Sequence, residues 1–238
     1  MLRNLKILAV VPARGGSKGL PGKNTMPVAG KPLIAWSIEQ ARASRLIDDV
    51  VVSTDREEIA QVARSHGAKV PFLRPAELAT DTASSIDVVM HMLDRLAAGG
   101  ERFDIVVLIE PTSPLRETSD IDGALERLVA TPGAESIVGV AGVEAVHPAF
   151  LFREHDGFLN SYTGMSASGV RRQDLETLLF IEGSVYAAYT ESLRARGSFY
   201  HDRTIGWRVP RYKALEIDEM PDLIACEALL NARRDGRI

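Results

Sequence analysis

The start of the chain constrains it most. Ile7-Leu8-Ala9-Val10-Val11 is an uninterrupted apolar run of strand length. A run that short and apolar reads as a strand covered on both faces, as in a parallel sheet. The fourteen residues Val11-Pro-Ala-Arg-Gly-Gly-Ser-Lys-Gly-Leu-Pro-Gly-Lys-Asn24 hold four glycines together with Arg14, Lys18 and Lys23. Glycines let backbone N–H groups approach phosphate oxygens, and the cations offset polyphosphate charge. The alternative is a surface turn with incidental charges. Its place directly behind a buried strand favours phosphate, because ligands of such sheets sit at the carboxyl ends of the strands. Spacing excludes two familiar phosphate loops. A P-loop would need Gly six residues before Lys23 and Ser or Thr after it, where Ser17 and Asn24 stand. The dinucleotide pattern G-x-G-x-x-G fails because Gly15 and Gly16 are adjacent.

The first half then alternates apolar and amphipathic segments. Residues 31–43 read as a helix with Pro32 in its first turn. Val50-Val51-Val52-Ser53 reads as a strand, and Thr54-x-x-Glu57 fits a capping box opening a helix to His66, stopped by Gly67. Val70-Pro71-Phe72-Leu73 is a short third strand or extended segment, and residues 84–96 a helix with apolar Ile86, Val89, Met90, Leu93 and Leu96. Ile105-Val106-Val107-Leu108-Ile109 is a second fully apolar strand, followed by a helix over 119–130 with Ser119 as its cap. Strand and helix alternating through short connections predict an α/β, doubly wound, mostly parallel sheet. The loops to inspect are therefore 12–24, 53–56, 73–85 and 110–116. Later, 136–143 and 184–189 read as strands, Trp207 falls in a late strand, and 222–232 is a terminal helix. Residues 145–182 lack periodicity and suggest an excursion from the sheet. Trp36 is expected in the core, and Cys226 reads as a packing residue. No linker or repeat divides the 238 residues, so one domain spans 1–238.

Composition narrows the partners. With 28 basic and 32 acidic side chains, a net charge of −4 argues against a dedicated nucleic-acid binder. The single cysteine forms no internal disulfide, and no Cys/His group has zinc spacing. No signal-peptide pattern and no membrane-spanning run is present, so a soluble cytoplasmic protein is expected.

The glycine-rich run resembles the nucleotide-binding loop of the acylneuraminate (sialic acid) cytidylyltransferase family. Similar blocks follow in that family's order: Val52-Ser-Thr-Asp55, Phe72-Leu-Arg-Pro-Ala-Glu-Leu-Ala79, Asp81-Thr-Ala-Ser-Ser85, Glu110-Pro-Thr-Ser-Pro-Leu-Arg116, Arg171-Arg-Gln-Asp174 and Glu216-Ile-Asp218. The resemblance implies a Rossmann-like nucleotidyltransferase fold with a small dimerisation excursion. It implies transfer of CMP from CTP to a nine-carbon 2-keto sugar acid, with release of pyrophosphate. Arg14 and Lys23 would be the catalytic cations at the triphosphate, a bidentate clamp and a point charge, beside Gly15, Gly16 and Ser17. Asn24, Arg74, the Ala83 backbone and Ser85 would read base and ribose. Glu110, Thr112, Arg172 and Gln173 would face the sugar acid. Glu216 and Asp218 would hold Mg2+, since alternation in an extended segment puts both on one side; an N-cap role for Asp218 is the alternative. Asp55 is explained by capping alone and is not placed in the site. The resemblance also implies a homodimer, in which an arm over about 140–182 reaches the partner's site.

Three departures fall where the sugar acid should sit. Glu110 stands where the family usually has Gln, Phe180 where it has Arg, and Glu182 where it has Asn. Carboxylates there disfavour an anionic neighbour unless a cation or a donor intervenes. Other ulosonic acids are therefore open alternatives: legionaminate, pseudaminate or 3-deoxy-manno-octulosonate. The last fits least, because its branch typically reads Pro-Ala-Arg-Tyr-Gly-Ser. A catalytically silent nucleotide-binding protein is the reading from a different class, and the full set of cations and late carboxylates argues against it.

Overall fold

The structure is a computed structural model and describes residues 2, 4–17, 19–143, 146–164 and 171–238, with the backbone alone at Arg172. Lys18 and the side chain of Arg172 lie outside what it describes.

The apolar run becomes β1 (Ile7–Pro12), and each of residues 7–11 is 0% exposed. Next come a two-rung ribbon of β2 (Pro27–Val28) and β3 (Lys31–Pro32), α1 (Leu33–Ala43), β4 (Asp49–Ser53) and α2 (Glu57–Ser65). The chain continues through α3 (Ser85–Ala98), β5 (Ile105–Leu108), α4 (Thr118–Ala130) and β6 (Ser136–Gly142). A hairpin of β7 (Phe152–His155) and β8 (Phe158–Ser161) precedes β9 (Leu179–Tyr189). Finally α5 (Thr190–Arg196), β10 (Thr204–Arg208) and α6 (Met220–Arg234) complete the order.

The main sheet runs β10-β6-β9-β5-β1-β4. β1 is parallel to β4 and β5, and β10 to β6. Successive side chains point to opposite faces, so one strand feeds two cores. Ile7, Ala9 and Val11 pack with Ile34 and Ile38 of α1, Ile59 of α2 and Leu125 of α4. Leu8 and Val10 pack with Val89, Met92 and Leu96 of α3 and Leu193 of α5. Helices on both faces of a mostly parallel sheet make the fold doubly wound, as expected.

β9 is the exception, antiparallel to both β5 and β6. The chain leaves β6, builds the hairpin and returns beside it, which needs no crossover helix. The expected strand 184–189 thus lengthens to Leu179–Tyr189. Its register slips: Val138 pairs with Tyr186 but Val140 with Ile181, so residues 182–185 bulge beside Gly139. The aperiodic stretch 145–182 contains the hairpin, where Phe158 and Leu159 remain 76% and 69% exposed.

Several local expectations need correction. Thr54 forms no capping box, because α2 starts at Glu57 and Thr54 Oγ1 instead accepts from the Arg56 amide. Val70 to Leu73 is not a strand. Only Lys69 bridges Val51, and Pro71 has no N–H to continue the ladder. α4 is capped by Glu117 in a box with Asp120, not by Ser119. Pro32 precedes α1 as its N-cap rather than entering its first turn. α6 extends beyond the expected 222–232 at both ends. Gly67 does end α2, at φ +87°. Trp36 is only half-buried, with its Nε1 donating to the Val28 carbonyl. Trp207 lies in β10 as expected, and Cys226 is buried in a third cluster with Leu20, Val28, Leu33, Leu115 and Ile217. That cluster lets α6 hold the glycine-rich loop against residues 215–218.

Candidate active site

β1, β4 and β5 end side by side, and their loops meet over a cavity of about 300 Å³. Arg14, Ser17, Lys23 and Asn24 enter it from the glycine-rich loop. Arg74, Ala83 and Ser85 line it from the 74–85 segment, and Glu110 and Thr112 from the end of β5. Glu216 and Asp218 close it from the approach to α6. The structure therefore brings together most of the residues singled out from sequence, although they span more than two hundred positions.

The glycine-rich loop is pinned from beneath. Ala13 N donates to the Ser53 carbonyl at 2.9 Å, Gly15 N to Asp55 Oδ1 at 2.8 Å, and Asn24 Nδ2 to the Arg14 carbonyl at 2.9 Å. Sequence reasoning missed Asp55. Its side chain does not cap α2 but holds the turn at Gly15, whose N–H is thereby engaged. Gly16 does not line the 300 Å³ cavity; it lines a second one of about 290 Å³ with Arg14, Ser17 and residues 79–81. Gly19 approaches the Asp218 carbonyl so closely that a Cβ would lie 2.4 Å from that oxygen. Only glycine lets the loop lie against the 216–218 turn.

The cations are held by defined partners. Lys23 Nζ donates to the Ile217 carbonyl at 2.8 Å and lies 3.0 Å from Asp218 Oδ1. Arg14 Nη1 pairs with Asp81 Oδ1 at 2.7 Å. Arg74 is 6% exposed and donates to the carbonyls of Ser53 (2.5 Å) and Leu78 (3.2 Å), while its Nε is buried without a partner. Burial pulls the Arg74 guanidinium down to about 10, so it stays charged at neutral pH.

The opposite wall is acidic. Glu110 Oε1 accepts from Ser85 Oγ at 3.4 Å. Burial, reinforced by the Glu216 charge, pushes its carboxyl up to about 7. Burial also raises Glu216, whose carboxylate accepts from the Gly183 amide. Asp218 does not cap α6, a role taken by Glu219 with Asp222. Ile217 N donates to the Thr112 carbonyl at 2.8 Å, tying both late carboxylates to the turn after β5.

That turn is braced by Arg116, another residue whose role the sequence did not reveal. Fully buried, it donates to the Ser184 carbonyl at 2.8 Å and to Ser37 Oγ at 2.6 Å, and its Nη1 lies 3.4 Å from the Glu110 carbonyl. Three expected neighbours of the sugar acid lie elsewhere. Glu182 is 1% exposed, and its carboxylate folds onto the amide and hydroxyl of Ser184 in the β9 bulge. The missing side chain of Gly139 leaves its space, since a Cβ there would lie 1.7 Å from Glu182 Oε1. Gln173 is exposed in a short helical turn, and neither it nor Phe180 lines the cavity.

Residues 8–192 match the cytidylyltransferase family. The chain belongs to that family. Some relatives match over nearly their whole length. A CMP-N,N'-diacetyllegionaminic acid synthase of Legionella pneumophila is 39% identical, over 98% of this chain and 100% of the relative. A pseudaminic acid cytidylyltransferase of Campylobacter jejuni is 32% identical over 98% and 99%. Among solved structures, a CMP:2-keto-3-deoxy-manno-octonic acid synthetase complexed with CTP superposes with TM-score 0.70 at 19% identity, over 96% of this chain and 99% of that one. At that identity the likeness shows the shared fold. In a cytidylyltransferase, a cavity with cations on one wall and carboxylates on the other suits a triphosphate and its counter-charge.

Proposed function

We propose that this cytidylyltransferase transfers CMP from CTP to the anomeric hydroxyl of a nine-carbon 2-keto sugar acid and releases pyrophosphate. The observation that carries this reading is the single cavity holding Arg14, Lys23 and Arg74 opposite Glu110, Glu216 and Asp218. The sugar hydroxyl attacks the α-phosphate in line while pyrophosphate departs, so catalysis is positioning and charge neutralisation. Arg14 offers a planar fork to phosphate oxygens, and Lys23 a compact charge fixed by the Ile217 carbonyl. Asn24, Arg74, Ala83 and Ser85 hold base and ribose. Thr112 and Glu110 face the acceptor.

The end-to-end relative named for diacetyllegionaminic acid favours a diamino sugar acid of that kind over ordinary N-acetylneuraminate. Glu110 agrees with this, because a carboxylate accepts the extra amide N–H such a sugar carries. Another ulosonic acid is the second reading, favoured by the pseudaminic acid relative.

Glu216 and Asp218 are the residues to hold Mg2+. Magnesium takes oxygen ligands, usually one or two carboxylates completed by phosphate and water oxygens. Two carboxylates two residues apart on one cavity wall fit that donor set. When bound, the ion neutralises phosphate charge and assists departure of pyrophosphate.

A homodimer is supported by the β7–β8 hairpin. An isolated two-stranded hairpin is marginally stable, and this one carries exposed Phe152, Phe158 and Leu159 beside exposed Tyr162. Apolar surface of that kind marks an interaction site. Light scattering should report a dimer that Phe158→Asp with Leu159→Asp splits; a monomeric wild type rejects it. None of the described helices is long and apolar enough to cross a membrane.

The test is pyrophosphate release from CTP and magnesium with a panel of sugar acids. Release with a nine-carbon acid supports the proposal. Binding of CTP without turnover on any acid would leave the silent binder instead.

A further inference from the structure

Arg14 lines two cavities at once. The 300 Å³ cavity lies on one side of it, and the 290 Å³ cavity, formed with Gly16, Ser17, Ala79, Thr80 and Asp81, on the other. One arm of its guanidinium is already engaged, Nη1 being bonded to Asp81 Oδ1 at 2.7 Å. The backbone of the same residue is clamped: its carbonyl accepts from Asn24 and the next amide donates to Asp55. With the backbone fixed and the pair 33% and 45% exposed, the side chain has room to exchange partners. A carboxylate and a phosphate offer an arginine fork the same geometry. Asp81 is therefore a competitor of a ligand phosphate for that fork.

We propose that Asp81 is a positioning residue: it holds Arg14 across the boundary between the two cavities and competes for it with the phosphate chain of any ligand long enough to reach it. This rests on the nucleotide reading above and adds to it a discrimination by phosphate-chain length. CMP, lacking the outer phosphates, leaves the pair closed. CTP and pyrophosphate must break it, and part of their binding energy is offset by the exchange. The same carboxylate recaptures Arg14 once pyrophosphate leaves, which favours product release over retention.

The experiment is calorimetric titration of the full-length protein and of Asp81→Asn with CTP, inorganic pyrophosphate and CMP, with thermal melting to show that both are folded. The expected result is tightening of CTP and pyrophosphate by about two- to fivefold in the variant, the size expected of an exposed ion pair, with CMP unchanged. Unchanged or weaker binding of both phosphate-chain ligands would overturn the proposal. So would equal tightening of CMP, which would reveal a general field effect. Pyrophosphate tests Asp81 by itself. Failure of CTP alone, with pyrophosphate still bound and still tightened, would count against the nucleotide reading and support the role of Asp81.

Discussion

Lys23 and Asp218, 195 residues apart, meet at 3.0 Å, and Lys23 also bonds the Ile217 carbonyl beside it. The contact joins the loop after β1 to the turn before α6, the two segments that carry the cationic and the carboxylate walls. Gly19 makes the approach possible, and the cluster of Leu20, Ile217 and Leu223 holds it from behind. Lys23 is thus oriented without being buried in the core.

Arg14→Ala and Lys23→Ala should each depress turnover by orders of magnitude while leaving thermal melting nearly unchanged. Neither side chain belongs to a hydrophobic cluster, so its removal opens no core cavity. The expected loss is about 2–4 kcal/mol of transition-state stabilisation, as for other preorganised charge contacts. Steady-state kinetics with CTP saturating separates the chemical effect from binding. Near-wild-type rates in either variant would move the triphosphate elsewhere.

CTP should be strongly preferred over UTP. Uracil replaces an amino donor by a carbonyl, and a mismatched buried acceptor costs about 1–3 kcal/mol. The restrained Asn24 and Arg74 leave little freedom to adapt, since each already bonds backbone carbonyls. Competition between the two nucleotides in the pyrophosphate assay measures the ratio. Comparable turnover with UTP would overturn the base assignment.

Glu182 predicts a pH dependence of stability. Burial pushes its carboxyl from the usual 4.5 up to about 7. Below 4.5 the group is protonated in both states, and its contribution to stability is complete. Between 4.5 and 7 the unfolded chain releases the proton and the folded one keeps it, so stability falls as pH rises. The whole fall is about 3 kcal/mol for such a shift. Glu182→Gln should flatten the difference in unfolding free energy between pH 5 and pH 8, with Glu110 retaining its own share. An amide can still accept from the Ser184 N–H and donate to its hydroxyl. Urea unfolding at the two pH values decides it, and an unaltered slope would reject the buried-carboxyl account.

The parallel core and the loops at its carboxyl edge were legible because they follow from local pattern. Five consecutive apolar residues admit little but a doubly covered strand, and ligand loops must follow such strands. What could not be read depends on contacts distant in sequence. Asp55 looked like a cap because Thr54 and Glu57 flank it, and only the approach of Gly15 reveals its use. Glu182 looked like a pocket residue because it aligned with one. The bulge of residues 182–185 and the bare backbone of Gly139 turn it inward instead. The reversal of β9 left no mark in its apolar pattern, since a strand between two others is buried in either direction.

Glu110→Gln tests what selects the acceptor. Glu110 ends an apolar strand and lines the cavity, its carbonyl held by Ser37 Oγ at 3.1 Å and its carboxylate by Ser85. Arg116 lies nearest the backbone of this residue, so the pairing expected of a merely structural carboxylate is made to the carbonyl. Burial and the Glu216 charge hold the carboxyl near 7, so it exists in both forms at neutral pH. The ionised form accepts a hydrogen bond from the extra amide of a diamino acid more strongly than a neutral amide oxygen does. Glutamine keeps the shape and removes the charge. The ratio of kcat/KM between N-acetylneuraminate and a diamino acid should therefore shift about tenfold towards N-acetylneuraminate, equivalent to about 1.4 kcal/mol. The assay uses several acids at saturating CTP and magnesium. A uniform change across all acids would make Glu110 a structural residue and withdraw the selectivity claim.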